Sequence, residues 1–313
     1  MPKAIREIYG ETLAALGAEN PDIVVLDADV SSSTKSAIFG KAYPERFFNM
    51  GIAESDMVAT ASGLAAVGKI PFVNAFATFL TTLGLLATRA QICYGNLNVK
   101  LAGGHSGLSG AQDGATHHAT EDIAFMRALP NMTVVVPSDA ACTRWATRWA
   151  ALEHRGPVYL RLNRESYPDL YDAEAEFALG RGSIVRDGRD VTVIACGLLV
   201  HKALEAAAEM EKEGVSVRVV DMYSLKPIDE ALIVECARET GAIVTAEEHN
   251  IYGGLGSAVA EVLAKHGCAA PVAFVGIQDT FTESGEYGDL LKKYGLDADG
   301  VKRGIETVLQ RKK

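Results

Sequence analysis

The chain has 313 residues, is 48% hydrophobic and 22% charged, and carries a formal net charge of −10. That length and apolar content suit two domains with a large core, and the acidic balance argues against nucleic acid or an anionic membrane as the main partner. It leaves room for a small anionic substrate, which needs only a few local cations. The five cysteines (Cys93, Cys142, Cys196, Cys236 and Cys268) are widely spaced without a CxxC pair. They fit buried thiols in a reducing compartment, not a disulfide framework or a zinc site.

Taken in order, the N-terminus lacks the apolar core of a signal peptide, and residues 1–20 hold an amphipathic helix with Ile5, Ile8, Leu13 and Leu16 on one side. Residues 23–27 form a nearly continuous apolar strand, the kind buried on both faces of a parallel sheet. A serine-rich polar loop covers 29–35. Around Glu54 and Asp56 an irregular loop turns into a helix, followed by a strand at 71–75, a helix at 79–94 and a strand at 99–102. The charge-free run 71–88 approaches membrane-spanning length. It opens with proline, holds Asn74 and four threonines, and changes period midway, so a buried strand and helix are expected. A glycine-rich loop (103–120), a helix (121–129), a strand (132–136), a helix (139–154) and a strand (157–162) complete a doubly wound α/β domain over residues 1–170.

Residues 171–188 are polar and turn-rich and read as a linker. A second, smaller α/β domain occupies 189–313. Its strands are expected at 191–195, 217–221, 242–246 and 272–275, and its helices at 199–213, 229–240, 256–265 and 299–310. The whole reads as a soluble cytoplasmic protein of two doubly wound domains.

In open parallel sheets ligands bind outside the carboxyl ends of the strands. The loops at 29–35, 49–54, 75–79, 103–120 and 161–166 fall there. The glycine-rich loop is the densest, with five glycines, His105, His117, His118 and Asp113 in 18 residues. A loop of that length is functional or disordered. A metal site is disfavoured, because only His117 and Glu121 share a helix face and no cysteine is near; a histidine-rich surface turn is the other alternative. Glu54 follows Ile52 and Ala53 and precedes a long apolar run, where a carboxylate without a basic partner is costly to ionise. Taken alone, it reads more simply as a first-turn acid favoured by the helix dipole. Gly253-Gly254-Leu255-Gly256 before a helix offers either an anion nest or, more commonly, a packing turn. Glu247, Glu248 and His249 at a strand end read as structural or interface residues.

Gly51-Ile52-Ala53-Glu54-x-x-Met57, Thr78-Phe79-Leu80, His105 with Asp113-Gly-x-x-His117, Arg164-x-x-x-Pro168, Thr245-Ala-Glu-Glu-His and Gly253-Gly-Leu-Gly-Ser occur in order along the chain. Together they resemble the second half of transketolase: its pyrimidine-binding domain plus its C-terminal domain. The resemblance implies thiamine diphosphate as cofactor, with Glu54 on the aminopyrimidine ring nitrogen, Phe79 stacked on the ring, and Asp29 lining the same pocket. It implies that Arg6, Ser33, His105 and Arg164 hold a sugar phosphate. Asp113 would contact a substrate hydroxyl, and His117 would stand near the reacting carbon. Physics suits these roles. A carboxyl on the ring nitrogen promotes the imino tautomer that removes the cofactor's C2 proton, and does so best in a dry pocket. Two arginines match a phosphate dianion through fork geometry and charge-assisted bonds.

Two departures matter. Thr82 and Leu85 stand where the family usually has further aromatics, so stacking beyond Phe79 does not carry over. There is also no Gly-Asp-Gly followed at distance by Asn, the element that holds Mg2+ (or Ca2+) and the diphosphate. The chain therefore resembles the smaller subunit of a split transketolase. It is expected to pair with an N-terminal subunit carrying the diphosphate half, in a heterotetramer, and to move a two-carbon ketol unit between sugar phosphates. A deoxyxylulose-phosphate synthase-like protein is disfavoured, since that family has Asp-Arg where His105-Ser106 stand. The beta subunit of a 2-oxoacid dehydrogenase is disfavoured by the phosphate set. A non-catalytic scaffold subunit is disfavoured by the presence of Glu54, His105, Asp113 and His117.

Overall fold

The apolar run Ile23–Asp27 lies inside a seven-stranded sheet in the computed structural model, which describes residues 3–312. In chain order the first half comprises α1 (Ile5–Glu19), β1 (Ile23–Asp27), α2 (Ser31–Thr34), α3 (Ala37–Ala42), β2 (Phe47–Asn49), α4 (Glu54–Ala66) and β3 (Ile70–Phe76). It continues through α5 (Ala77–Thr82), α6 (Leu85–Ala87), β4 (Lys100–Gly104), α7 (Asp122–Ala128), β5 (Thr133–Val135), α8 (Ala140–Leu152) and β6 (Val158–Arg161). Every residue of β1, β4, β5 and β6 is buried, as strands covered by helices on both faces require.

The second half comprises β7 (Ser183–Arg186), β8 (Val191–Ala195), α9 (Leu198–Lys212), β9 (Val217–Asp221), β10 (Ser224–Lys226), α10 (Glu230–Thr240) and β11 (Ile243–Asn250). It closes with α11 (Leu255–Lys265), β12 (Val272–Ile277), α12 (Tyr287–Lys293) and α13 (Ala298–Arg311). Its sheet runs β12-β11-β8-β9-β7, and the first runs β10-β5-β6-β4-β3-β1-β2. Among the described strands, only the β7–β9 and β10–β5 pairs are antiparallel. The two halves are interlocked. β10, from the second half of the chain, pairs with β5 at the edge of the first sheet, and one apolar cluster joins Leu160 and Tyr167 to Val193 and Leu199.

Several local expectations change. The helix expected over 1–20 starts at Ile5, and Met1 and Pro2 lie outside the described residues. The serine-rich loop contains the single turn α2, and the linker contains β7. β2, β7 and β10 are three or four residues long, too short to show a period of two in sequence. The helix expected at 79–94 is broken into α5, α6 and a π-helical turn, Thr88–Cys93. The break centres on Gly84, where a Cβ would stand 2.6 Å from the Leu80 carbonyl oxygen and 2.9 Å from Val58, so only glycine lets the chain pass α4 this closely. Four of the five cysteines are buried thiols. Among the described residues no helix is long and apolar enough to cross a membrane.

Candidate active site

β6, β4, β3 and β1 are consecutive neighbours, so the loops at their carboxyl ends converge. The loop after β1 is shaped by Asp27. Its buried carboxylate accepts from the Val30 N–H at 2.7 Å and from the Thr34 and Ser36 hydroxyls at 2.8 Å each. Burial pushes this carboxyl up, against those three donors. The fold of this loop brings Ser33 beneath the first turn of α1, where Arg6 Nη1 donates to the Ser33 carbonyl at 3.0 Å. On the neighbouring strand, Asn74 donates to the Leu26 and Phe72 carbonyls and accepts from the Tyr9 hydroxyl at 2.7 Å. β3 then runs directly into α5 and places Phe76 and Phe79 one helical turn apart.

Glu54 is the first residue of α4, 6% exposed, with no hydrogen-bond partner for its carboxylate among the described residues. The helix is fixed against α5 and α6 by Ser55, whose hydroxyl donates to the Leu83 carbonyl at 2.6 Å. Glu54 lines a slot of about 340 Å³ whose other walls are Ala28, Val30, Ile52, Phe76, Phe79, Leu83 and His117. The slot is almost wholly apolar. The His117 ring meets Phe79 edge-on, with centroids 5.0 Å apart at 81°.

Beyond Phe76 and His117 lies a second cavity of about 300 Å³, lined also by Arg6, Ser33, His105, Asp113 and Arg164. His105 packs on Phe76 with ring centroids 4.3 Å apart. It takes a left-handed backbone, φ +55°, uncommon outside glycine and mostly seen where a site demands it. Burial pushes its imidazole down to about 3, helped by Arg6, Arg164 and His117, so the ring is neutral. The Arg6 guanidinium is also pushed down, by burial and by Arg164. Arg6 Nε and His105 Nδ1 are buried with no protein partner. Two arginines and these unpaired buried nitrogens are a donor set whose chemistry suits an anion.

The structure thus gathers Arg6, Ser33, His105, Asp113, His117 and Arg164 around one cavity, and Glu54, Phe79 and His117 around the adjoining one. Asp29 does not line either. It is exposed at φ +63° between two slot residues, Ala28 and Val30, and its carboxylate accepts from Asn49 Nδ2 at 2.8 Å. Thr82 is exposed and donates to the Thr78 carbonyl, outside the slot. Sequence reasoning missed Phe76, the wall between the cavities; its spacing of three from Phe79 was the available signal. The glycine turn at 253–256 is no open anion nest. Glu247 fills it, accepting from the Leu255 and Gly256 N–H groups at 2.7 and 2.8 Å.

Residues 1–169 match the family model for the transketolase pyrimidine-binding domain, and residues 180–301 match that for the transketolase C-terminal domain. The chain belongs to the transketolase family, whose members depend on thiamine diphosphate. Within that family it corresponds to the C-terminal subunit of split-gene transketolases. It is 43% identical over 311 residues, 99% of this chain and 97% of the relative, to a putative transketolase C-terminal section from Methanocaldococcus jannaschii. It is 38% identical, over 98% of this chain and 95% of the relative, to a 6-deoxy-6-sulfo-D-fructose transketolase subunit from a Clostridium species. A solved split-gene transketolase, described as an inactive beta4 tetramer, superposes with a TM-score of 0.91 at 51% identity over the full length of both chains.

Proposed function

We propose that this chain is the C-terminal subunit of a transketolase that transfers a two-carbon ketol unit from a ketose phosphate to an aldose phosphate. It would act only with a partner polypeptide holding the diphosphate and its Mg2+ (or Ca2+). One observation carries the reading: an apolar slot with a single carboxylate adjoins an anion cavity with two arginines, and Phe76 and His117 divide them. The slot fits a flat heteroaromatic ring, because its walls are apolar and its one acid, Glu54, has no partner of its own. Glu54 would hold the ring nitrogen and Phe79 would pack on the ring. When bound, thiamine diphosphate supplies the electron sink for cleavage of the carbon–carbon bond.

Arg6 and Arg164 would pair with the substrate phosphate. Ser33 and neutral His105 would add hydrogen bonds, Asp113 would accept from a sugar hydroxyl, and His117 would face the reacting carbon from the shared wall. The slot's mouth is bordered by Ile52, 85% exposed, and Leu83, 54% exposed, with Leu86 beyond them at 76%. Apolar side chains this exposed beside a half-built cofactor site favour cover by a second polypeptide, in a heterotetramer. The 51% identical relative, described as an inactive tetramer of beta chains, supports dependence on a partner. A cytoplasmic location fits the buried thiols.

The test is co-expression with a chain carrying the diphosphate half, then assay with xylulose 5-phosphate and ribose 5-phosphate. Turnover by the pair and none by this chain alone is the expected result. No turnover by the pair, or full turnover by this chain alone, would sink the split-enzyme reading.

A further inference from the structure

One buried carboxylate of the second domain bonds the chain segments that carry His105 and Arg164. Glu248, near the end of β11, points at the glycine-rich loop of the first domain. Its Oε1 accepts from the Leu108 backbone N–H at 2.6 Å. Its Oε2 accepts from Asn163 Nδ2 at 3.0 Å and from the Tyr287 hydroxyl at 3.1 Å. Leu108 lies three residues beyond His105, and Asn163 immediately precedes Arg164. The two oxygens therefore hold two chain segments that each carry a lining residue of the cavity, His105 and Arg164. The approach is close: at Gly107, φ +61°, a Cβ would stand 2.4 Å from the Glu248 carboxyl carbon. Glycine is required there both by the backbone and by the carboxylate. Other bonds from the second domain hold the loop further along. Ser284 donates to the Gln112 carbonyl at 2.6 Å, Thr282 bonds His118 at 2.7 Å, and the Asn250 N–H donates to the Thr120 carbonyl at 2.8 Å. Of these, only Glu248 touches both the loop and the Asn163-Arg164 segment.

We propose that Glu248 is a positioning residue for the phosphate site: by bonding Leu108 and Asn163 together it sets the separation of His105 from Arg164. It thereby sets the preference for phosphorylated substrates. The inference rests on the reading of Arg6, Ser33, His105 and Arg164 as phosphate ligands.

The physical reason is the donor count. Three groups converge on two oxygens, and the ionised carboxylate accepts from all of them at once; a protonated carboxyl must turn its O–H to the Tyr287 hydroxyl, which already accepts from Asn163 Nδ2 at 3.2 Å. Burial pushes the Glu248 carboxyl up to about 7, opposed by Arg161, the Leu108 N–H and Tyr287, and reinforced by Asp122. The charged and titratable groups facing it are Arg161 on β6, Asp122 at the start of α7, Tyr167 after β6 and Tyr287 on α12. As pH falls through about 7 the ionised form that accepts from all three groups is lost.

The experiment uses the assembled enzyme and compares a ketose phosphate with the same ketose lacking phosphate. Glu248→Gln should raise KM for the phosphorylated ketose roughly tenfold, leave kcat within about twofold, and spare KM for the unphosphorylated one. An unchanged KM, or an equal rise for both substrates, overturns the proposal. If Glu248→Gln does not fold, Tyr287→Phe serves, because it removes one donor from the ionised carboxylate and so raises its titration. The acid limb of the KM profile should then move to higher pH. Substrate ionisation is common to both proteins and cannot produce that shift, so an unmoved limb overturns the proposal. In the isolated chain near pH 7, where the titrations differ, Leu108 amide exchange should accelerate in each variant that folds, and no acceleration overturns it. Arg164→Ala separates the two layers. If that variant also ignores the phosphate, the phosphate reading and the proposal fall together. If Arg164→Ala is phosphate-selective and the Glu248 and Tyr287 variants are not, only the positioning role falls.

Discussion

The two cavities share Phe76 and His117 and otherwise oppose each other. The slot has apolar walls and one carboxylate, Glu54, whereas the second cavity sets two arginines, a serine and a neutral histidine beside one carboxylate, Asp113. On the proposed reading, one set of strand-end loops separates recognition of a ring from recognition of an anion. In the apolar slot a hydrogen bond to Glu54 would meet few competing polar groups. In the polar cavity two arginines would pair with an anion. Each side should fail in its own way, and that can be tested.

The largest effect belongs to Glu54. Glu54→Gln should leave the fold intact and abolish activation of the cofactor, read as loss of C2 proton exchange in the assembled enzyme with any substrate or none. Unchanged exchange would remove Glu54 from its role and erase the contrast between the cavities. Next, Arg164→Ala should weaken use of phosphorylated sugars by about 1.5–3 kcal/mol in kcat/KM, chiefly through KM, the cost of one charged hydrogen bond. Its effect on unphosphorylated sugars should be slight; an equal loss would mean that the anion cavity does not read phosphate. Smaller again, Phe79→Leu keeps apolar area in the slot while losing the aromatic face, at about 0.5–1.5 kcal/mol of cofactor affinity. That loss should be indifferent to the substrate's phosphate.

Much of this was legible in the sequence because the family resemblance named residues, most of them in strand-end loops, though Arg6 lies on α1 and Asp29 lines neither cavity. Each of Arg6, Ser33, Glu54, Phe79, His105, Asp113, His117 and Arg164, named from sequence, lines a cavity, though they come from distant stretches of chain. Apolar runs such as Ile23–Asp27 marked their strands to the residue. What escaped was set by contacts remote in sequence. β2 and β10 are three-residue edge strands defined by their partners, and the break at Gly84 depends on Val58 passing close by. Glu247 and Glu248 are adjacent, look alike and do unrelated work. One caps α11 within its own domain, and the other crosses to Leu108, 140 positions away. Only the fold distinguishes them.

The finest distinction concerns which group gives the anion cavity its pH dependence. His105 is the intuitive choice, but burial and the two arginines push its imidazole down to about 3, so it is neutral before an anion enters the cavity. His105→Asn should therefore leave the acid limb of the KM profile for phosphorylated substrates where the wild type has it, since Glu248 sets that limb. A limb that moves with His105→Asn would return the titration to the histidine. The same depressed value carries a stability signature of definite sign. Because the fold favours neutral His105, that stability is whole above 6.5 and drains as pH falls from 6.5 toward about 3, where the unfolded chain takes up a proton that the native site refuses. His105→Asn cannot titrate, so its Tm should fall less steeply than the wild type's below pH 6.5. Parallel Tm curves would mean that His105 is charged in the fold, and the anion cavity would then hold three cations instead of two.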